Sequence, residues 1–115
     1  MKLRPVIREE DDELLGFVGN IGDTNQWQAF TVFKFPLQVF PTEQEAEAKI
    51  QSIGLDILMD KWYFFDSELA AWFGCQIVEA SPEKVKYRIT EMSHPRVYQM
   101  EIIVAPSINN FKLKL

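Results

Sequence analysis

Cysteine and histidine are nearly missing: the 115 residues hold one of each, Cys75 and His94. A lone cysteine excludes a disulfide framework within the chain and any multi-cysteine metal site. A lone histidine excludes a site built from several imidazoles, so no metal is expected. The five glycines form no phosphate-cradling loop, because Gly16-x-x-Gly19-x-x-Gly22 lacks both the G-x-G start and a well-marked strand before it. A G-x-S-x-G nucleophile elbow is absent as well. No apolar run approaches the roughly 20 residues of a membrane helix. Residues 1–12 carry no apolar stretch behind their basic residues, so no secretory signal is expected there. The cytoplasm is then the default location, and neither a membrane nor a cofactor is expected.

Positive charge is also scarce. Twelve Lys and Arg face seventeen Asp and Glu, for a net charge of −5. The excess is confined to the front: residues 1–60 hold eleven acids and five bases, residues 61–115 six acids and seven bases. Phosphate binding needs a basic footprint, so nucleic acid is not an expected partner. The acids at 9–13 and at Glu43, Glu45 and Glu47 read as a solvated face. The competing reading makes Glu43 and Glu47 a steering face for a basic protein.

What is abundant is apolar and aromatic: 47% hydrophobic residues, 13% aromatic, nine of them Phe. That suffices for one core, and residues 1–115 are expected to be a single domain. Residues 1–8 read as an extended lead-in, with Pro5 suited to an edge. Five acids then precede Leu14, Leu15, Val18 and Ile21, a spacing that fits a short N-terminal helix favoured by the helix dipole. Gly16 and Gly19 weaken that helix, and a strand over 14–19 competes. Residues 27–35 have β character, interrupted at Pro36, with a second short strand over 37–40. The clearest helix runs over about 43–53. Thr42 and Glu45 offer a capping box, Ala46, Ile50, Ile53 and Ile57 make one stripe, and Gly54 is either the stop or an interior weak point.

From Lys61 the period becomes two. Strands are expected over 62–65, 71–78, 85–90 and 98–104, with a last edge strand at Phe111, Leu113 and Leu115. Asp66-Ser67-Glu68 and Ser81-Pro82-Glu83-Lys84 read as turns. Alternation places Val85, Tyr87 and Ile89 inside, and likewise Tyr98, Met100, Ile102 and Val104, leaving Glu101 outside. The fold class is α+β: a curved antiparallel sheet of four to six strands with the 43–53 helix packed on it.

The chemistry-bearing residues are few. His94 reads as a solvated turn residue, with catalysis the minority alternative. Cys75 reads as a small buried hydrophobe, and pairing with His94 would need a favourable register. Asp56 and Asp60, four apart, could share a face as cation ligands or an acid/base pair, and more often form a polar stripe. The aromatics Trp62, Tyr63, Phe64, Phe65, Trp72 and Phe73 fall on both faces of one hairpin, more than one sheltered layer needs. Residues 62–90, with this aromatic strand, an acidic turn, Trp72, a Pro-containing turn and Val85-Lys86-Tyr87, resemble the hairpins of small SH3- or Tudor-like barrels. The resemblance covers about a quarter of the chain and implies aromatic strand-end residues that bind peptides or methylated basic groups. The helix at 43–53 has no counterpart in such a barrel.

These observations favour a non-enzymatic protein-interaction module, a small acidic adaptor of inhibitor- or immunity-like type. Trp62, Tyr63, Trp72 and Tyr98 would be its anchors, and Glu43 and Glu47 its steering face. The partner would be a protein, basic by charge, or a second copy. The alternative is a small-molecule binder or minor enzyme with a pocket between helix and sheet, where His94, Glu91 and Cys75 are the first suspects.

Overall fold

A computed structural model describes residues 1–113; Leu115, expected in a last strand, lies outside them. The chain divides into two compact units, Met1–Leu55 and Asp56–Leu115. The fold is α+β with antiparallel sheets.

The first unit is a four-stranded meander: β1 (Leu3–Arg8), β2 (Glu13–Asn20), β3 (Trp27–Thr31) and β4 (Pro36–Phe40) pair in chain order. The N-terminal helix does not form; residues 13–20 are β2. Asp12 takes a left-handed backbone (φ 56°), so the acidic run is a turn and not a helix start. The helix-like spacing arises from a register shift between Val6 and Ile7, which puts consecutive Leu14 and Leu15 in use on the strand. Gly16 serves close backbone approach: a Cβ there would collide with the carbonyl oxygen of Phe30 across the β2–β3 ladder. Pro5 sits in edge strand β1, where its missing N–H does no harm. Between β3 and β4, Lys34 is left-handed (φ 68°), so the reversal comes before Pro36, which starts β4.

Helix α1 (Glu43–Ile53) forms with Thr42 as its N-cap. The Thr42 side chain accepts the Glu45 N–H at 3.2 Å, and Gly54 (φ 58°) donates its N–H to Ile50 O at 2.8 Å. Ala46 and Ile50 face Val6, Leu15, Val18 and Ala29 in a dry core. The helix thus packs on the first sheet.

The second unit starts with a 3-10 turn, Asp56–Met59, followed by β5 (Trp62–Asp66), β6 (Ala71–Ala80), β7 (Lys84–Ile89), β8 (Met100–Val104) and β9 (Phe111–Lys112). The sheet order is β8-β7-β6-β5-β9. The strands form two sheets where one was expected: β1–β4 pair in chain order before α1, and after it β5–β8 pair in chain order while β9 returns to β5. The likeness to barrel hairpins ends at the hairpins, since β8 and β9 are edges at opposite ends of the second sheet. Its inner face carries Trp62, Phe64, Cys75, Val85, Tyr87, Ile89 and Phe111, all buried. Trp62 stacks on Phe111 (5.5 Å, 14°), and its indole N–H donates to Ile57 O at 3.0 Å.

Two substitutions test this packing by urea denaturation. Gly16→Ala should destabilise by about 2 kcal/mol, because its methyl meets backbone that cannot rotate away. Thr42→Ala should remove about 1 kcal/mol. A neutral Gly16→Ala contradicts the β2–β3 approach.

Candidate functional site

The densest polar cluster lies at the end of β5. Asp66 is buried, 6% exposed, and its carboxylate is saturated. Oδ1 accepts the N–H groups of Glu68 (3.0 Å) and Leu69 (3.1 Å), which closes the β5–β6 turn. Oδ2 accepts from His94 Nε2 (2.8 Å) and Arg96 Nη2 (3.3 Å). His94 is not a solvated turn residue. It is 2% exposed, with its ring edge-on to Phe73 (4.6 Å) and Phe64 (5.5 Å). The Arg96 N–H donates to its Nδ1 at 3.0 Å, so Nε2 carries the proton in the neutral ring. Both ring nitrogens are occupied, and neither is left to serve as a base for Cys75. Burial itself pushes the Cys75 thiol up to about 12, which keeps it protonated.

Arg96 extends the cluster to β8. Its Nε donates to Glu101 Oε2 at 2.9 Å, and the Tyr87 hydroxyl donates to Glu101 Oε1 at 3.3 Å. Burial, with Glu101 close by, pushes the Tyr87 phenol up. Glu101 therefore faces inward beside Tyr87, its register partner, and not outward as alternation predicted. The phase of β8 is inverted. Met100, Ile102 and Val104 stand on the outer face, 47%, 55% and 72% exposed, opposite Arg88, Lys86 and Lys84. The strand's backbone carries the same parity. Ile89 N–H to Gln99 O (3.0 Å) and Ala105 N–H to Glu83 O (2.7 Å) frame the ladder, so Glu101 and Ile103 turn their backbone groups toward β7. Met100, Ile102 and Val104 turn theirs outward from the edge of the sheet.

The rest of this outer face is aromatic and basic. Tyr63 and Trp72 are half-buried, and Phe65 meets Trp72 edge-on at 5.5 Å. The Lys61 ammonium lies over Tyr63 (5.3 Å) and that of Lys112 over Trp72 (4.0 Å).

Of the residues singled out from sequence, Tyr63 and Trp72 share this face. Trp62 does not: β-strand parity puts it in the core with Phe64, fully buried, so it presents nothing to a partner. Tyr98 is 61% exposed, but it sits before β8, at a left-handed position (φ 70°) where Tyr98 N–H and Ile89 O bond at 2.7 Å. Glu43 and Glu47 lie on α1 in the first unit, paired with Arg4 at 3.4 and 3.1 Å. Glu91 accepts the Gly74 N–H at 3.3 Å. Among the described residues no three His, Cys, Asp or Glu gather at a metal-binding spacing, Asp56 and Asp60 included. No described helix is long and apolar enough to cross a membrane. The first unit also holds an open cavity of about 510 Å³ lined by Leu3, Pro5, Val18 and Trp27 together with Lys2, Arg4, Asn20 and Glu43. No protein-family model, curated protein or solved structure matches the chain.

Sequence reasoning missed the outward row of β8, Asp66 and Arg96. A signal existed for Asp66: Asp at the end of a strand, followed by Ser67 and Glu68, is the composition of a side-chain-closed turn.

The hydrogen bond from His94 and the Leu69 N–H hold the Asp66 carboxyl below its usual range, against the effect of burial. Its stabilisation is therefore present above the ordinary carboxylate value of about 3.9 and lost as pH falls through the lower folded value. Asp66→Asn, whose amide N–H would face two donors, should be clearly less stable than the parent at pH 7. The gap should narrow as the pH falls below the ordinary carboxylate value of about 3.9. Urea titrations across that range check it; a gap that does not change with pH contradicts an ionised Asp66.

Proposed function

We propose that this chain is a non-enzymatic protein-interaction module that docks its partner on the outer face of the second sheet. The observation that carries the reading is the row Met100, Ile102 and Val104, an apolar face turned to solvent on an edge strand. Monomeric proteins usually blunt such an edge with Lys, Pro or a bulge inside the strand. Along Met100–Val104 β8 has no Lys, Pro or bulge; its protection is limited to its shortness and the inward Glu101, whose carboxylate is already engaged by Arg96 and Tyr87. Tyr63, Phe65 and Trp72 extend the patch across β5 and β6 with side chains that are enriched where binding energy concentrates. The acidic face at Glu43 and Glu47 plays a lesser part, since Arg4 partly neutralises it and exposed ion pairs contribute little.

A second reading has its own support. The cavity in the first unit falls within the ~300–1,000 Å³ of small-molecule sites and is mostly apolar, with Lys2, Arg4, Glu43 and Asn20 as its polar lining. That reading makes the chain a small-molecule binder through its helix-covered sheet.

A photo-crosslinking amino acid placed at 102, at Asn20 beside the cavity, or at Asp23 as a remote control separates the two in native extract. Protein adducts at 102 should form, vanish with excess unlabelled chain, and be absent at 23. Equal adducts at 23 and 102, or adducts that excess chain does not compete away, contradict the interaction module. Small-molecule adducts at 20 with none at 102 favour the second reading.

A further inference from the structure

We infer that the partner segment is an acidic, extended peptide that joins the second sheet as an additional strand alongside β8. The inference rests on the docking face just described and names its ligand class.

Two observations on one face carry it. The first is the open edge: Met100, Ile102 and Val104 each direct a backbone N–H and C=O away from the sheet, and among the described residues nothing pairs with them. An extended chain satisfies such groups in register, the mode known as strand addition. Tyr98 (φ 70°) and Ala105 (φ 51°) bound the edge at both ends and limit the pairing to this short strand.

The second is charge. The outer face carries Lys84, Lys86 and Arg88 in one row on β7, with Lys61 and Lys112 toward the other edge. Among the described residues none of these five forms an ion pair. Glu79, opposite Lys86 in register, Glu83 and Asp60, the chain neighbours of Lys84 and Lys61, and Glu91 are carboxylates near them, and none comes within ion-pair distance of these five. A chain with a net charge of −5 thus keeps an uncompensated cationic face.

Geometry joins the two. An added strand lies about 4.8 Å from β8 and about 10 Å from the β7 row. Glutamates on its outer side meet Lys86 and Arg88 across the apolar row, whose methyl groups the lysine and arginine stems then cover. Apolar residues at the alternate positions lie beside Ile103 on the inner side. The fitting sequence therefore alternates acidic and apolar residues. Single-stranded nucleic acid fits less well. Lys61 and Lys112 already lie over the rings of Tyr63 and Trp72, and a phosphodiester chain cannot pair with a strand edge.

The test titrates the full chain against a labelled peptide alternating glutamate and valine, followed by fluorescence anisotropy. Comparison probes are the lysine–valine peptide, the glutamate–valine peptide N-methylated on the amides that would pair, and a single-stranded oligonucleotide. The acidic peptide should bind, weaken with added salt, and lose affinity about tenfold with Lys86→Glu or Arg88→Glu. Both are surface positions whose variants should fold; circular dichroism checks this, and Arg88→Gln repeats the test with a smaller change. N-methylation should abolish binding. Equal binding of the lysine–valine peptide, tighter binding of the oligonucleotide, or no binding of the acidic peptide overturns the inference. A dimer by light scattering that Ile102→Lys dissolves overturns it in favour of a second copy at this edge. If the competed cross-link at 102 persists while the acidic peptide fails, the inference falls and the docking face stands. If both fail, the docking face falls too.

Discussion

The second unit is organised by one buried carboxylate. Asp66 receives four donors: two from the turn that follows it, one from His94 and one from Arg96. A buried charge is tolerated only when so surrounded, and the requirement propagates. His94 and Arg96 must be where Asp66 needs them, which pins the segment between β7 and β8. Arg96 then draws Glu101 inward, and with Glu101 inside, Met100, Ile102 and Val104 have only the outside left. The exposed apolar row follows from the polar network behind it.

The same network settles what His94 and Cys75 do. A histidine hydrogen-bonded to an aspartate invites a catalytic reading, but catalysis needs the far nitrogen free to exchange a proton. Here the Arg96 N–H fills it. The cysteine sits in an apolar core that keeps it a thiol. In the second unit His94 and Cys75 serve the architecture.

Elements governed by local rules were legible in the sequence. Thr42, Glu45 and Gly54 bracket α1 because capping is a matter of a few neighbouring atoms. Val85, Tyr87 and Ile89 were legible because their strand is buried on one face. Elements decided at a distance were not. β2 reads as a helix until Gly16 is seen pressed against the backbone of β3. Trp62 and Trp72 are equally aromatic, and strand parity separates them without saying which face is sheltered. For β8 the alternation was correct and its phase was not. Apolar residues are presumed to face inward, and that presumption fails at Met100, Ile102 and Val104, where the polar network behind the strand takes the inner side. Tyr63 and Trp72 share the outer face, whereas the outward row of β8 was hidden by the very rule that locates strands.

β8 is an inverted, open edge. Amide hydrogen exchange resolved residue by residue tests it most directly. The account predicts alternation along one short strand: Glu101 and Ile103, bonded to β7, protected, and Ile102 and Val104 exchanging close to the rate of an unstructured chain. Protection of Ile102 and Val104 with rapid exchange at Glu101 and Ile103, or uniform protection along the strand, would contradict it.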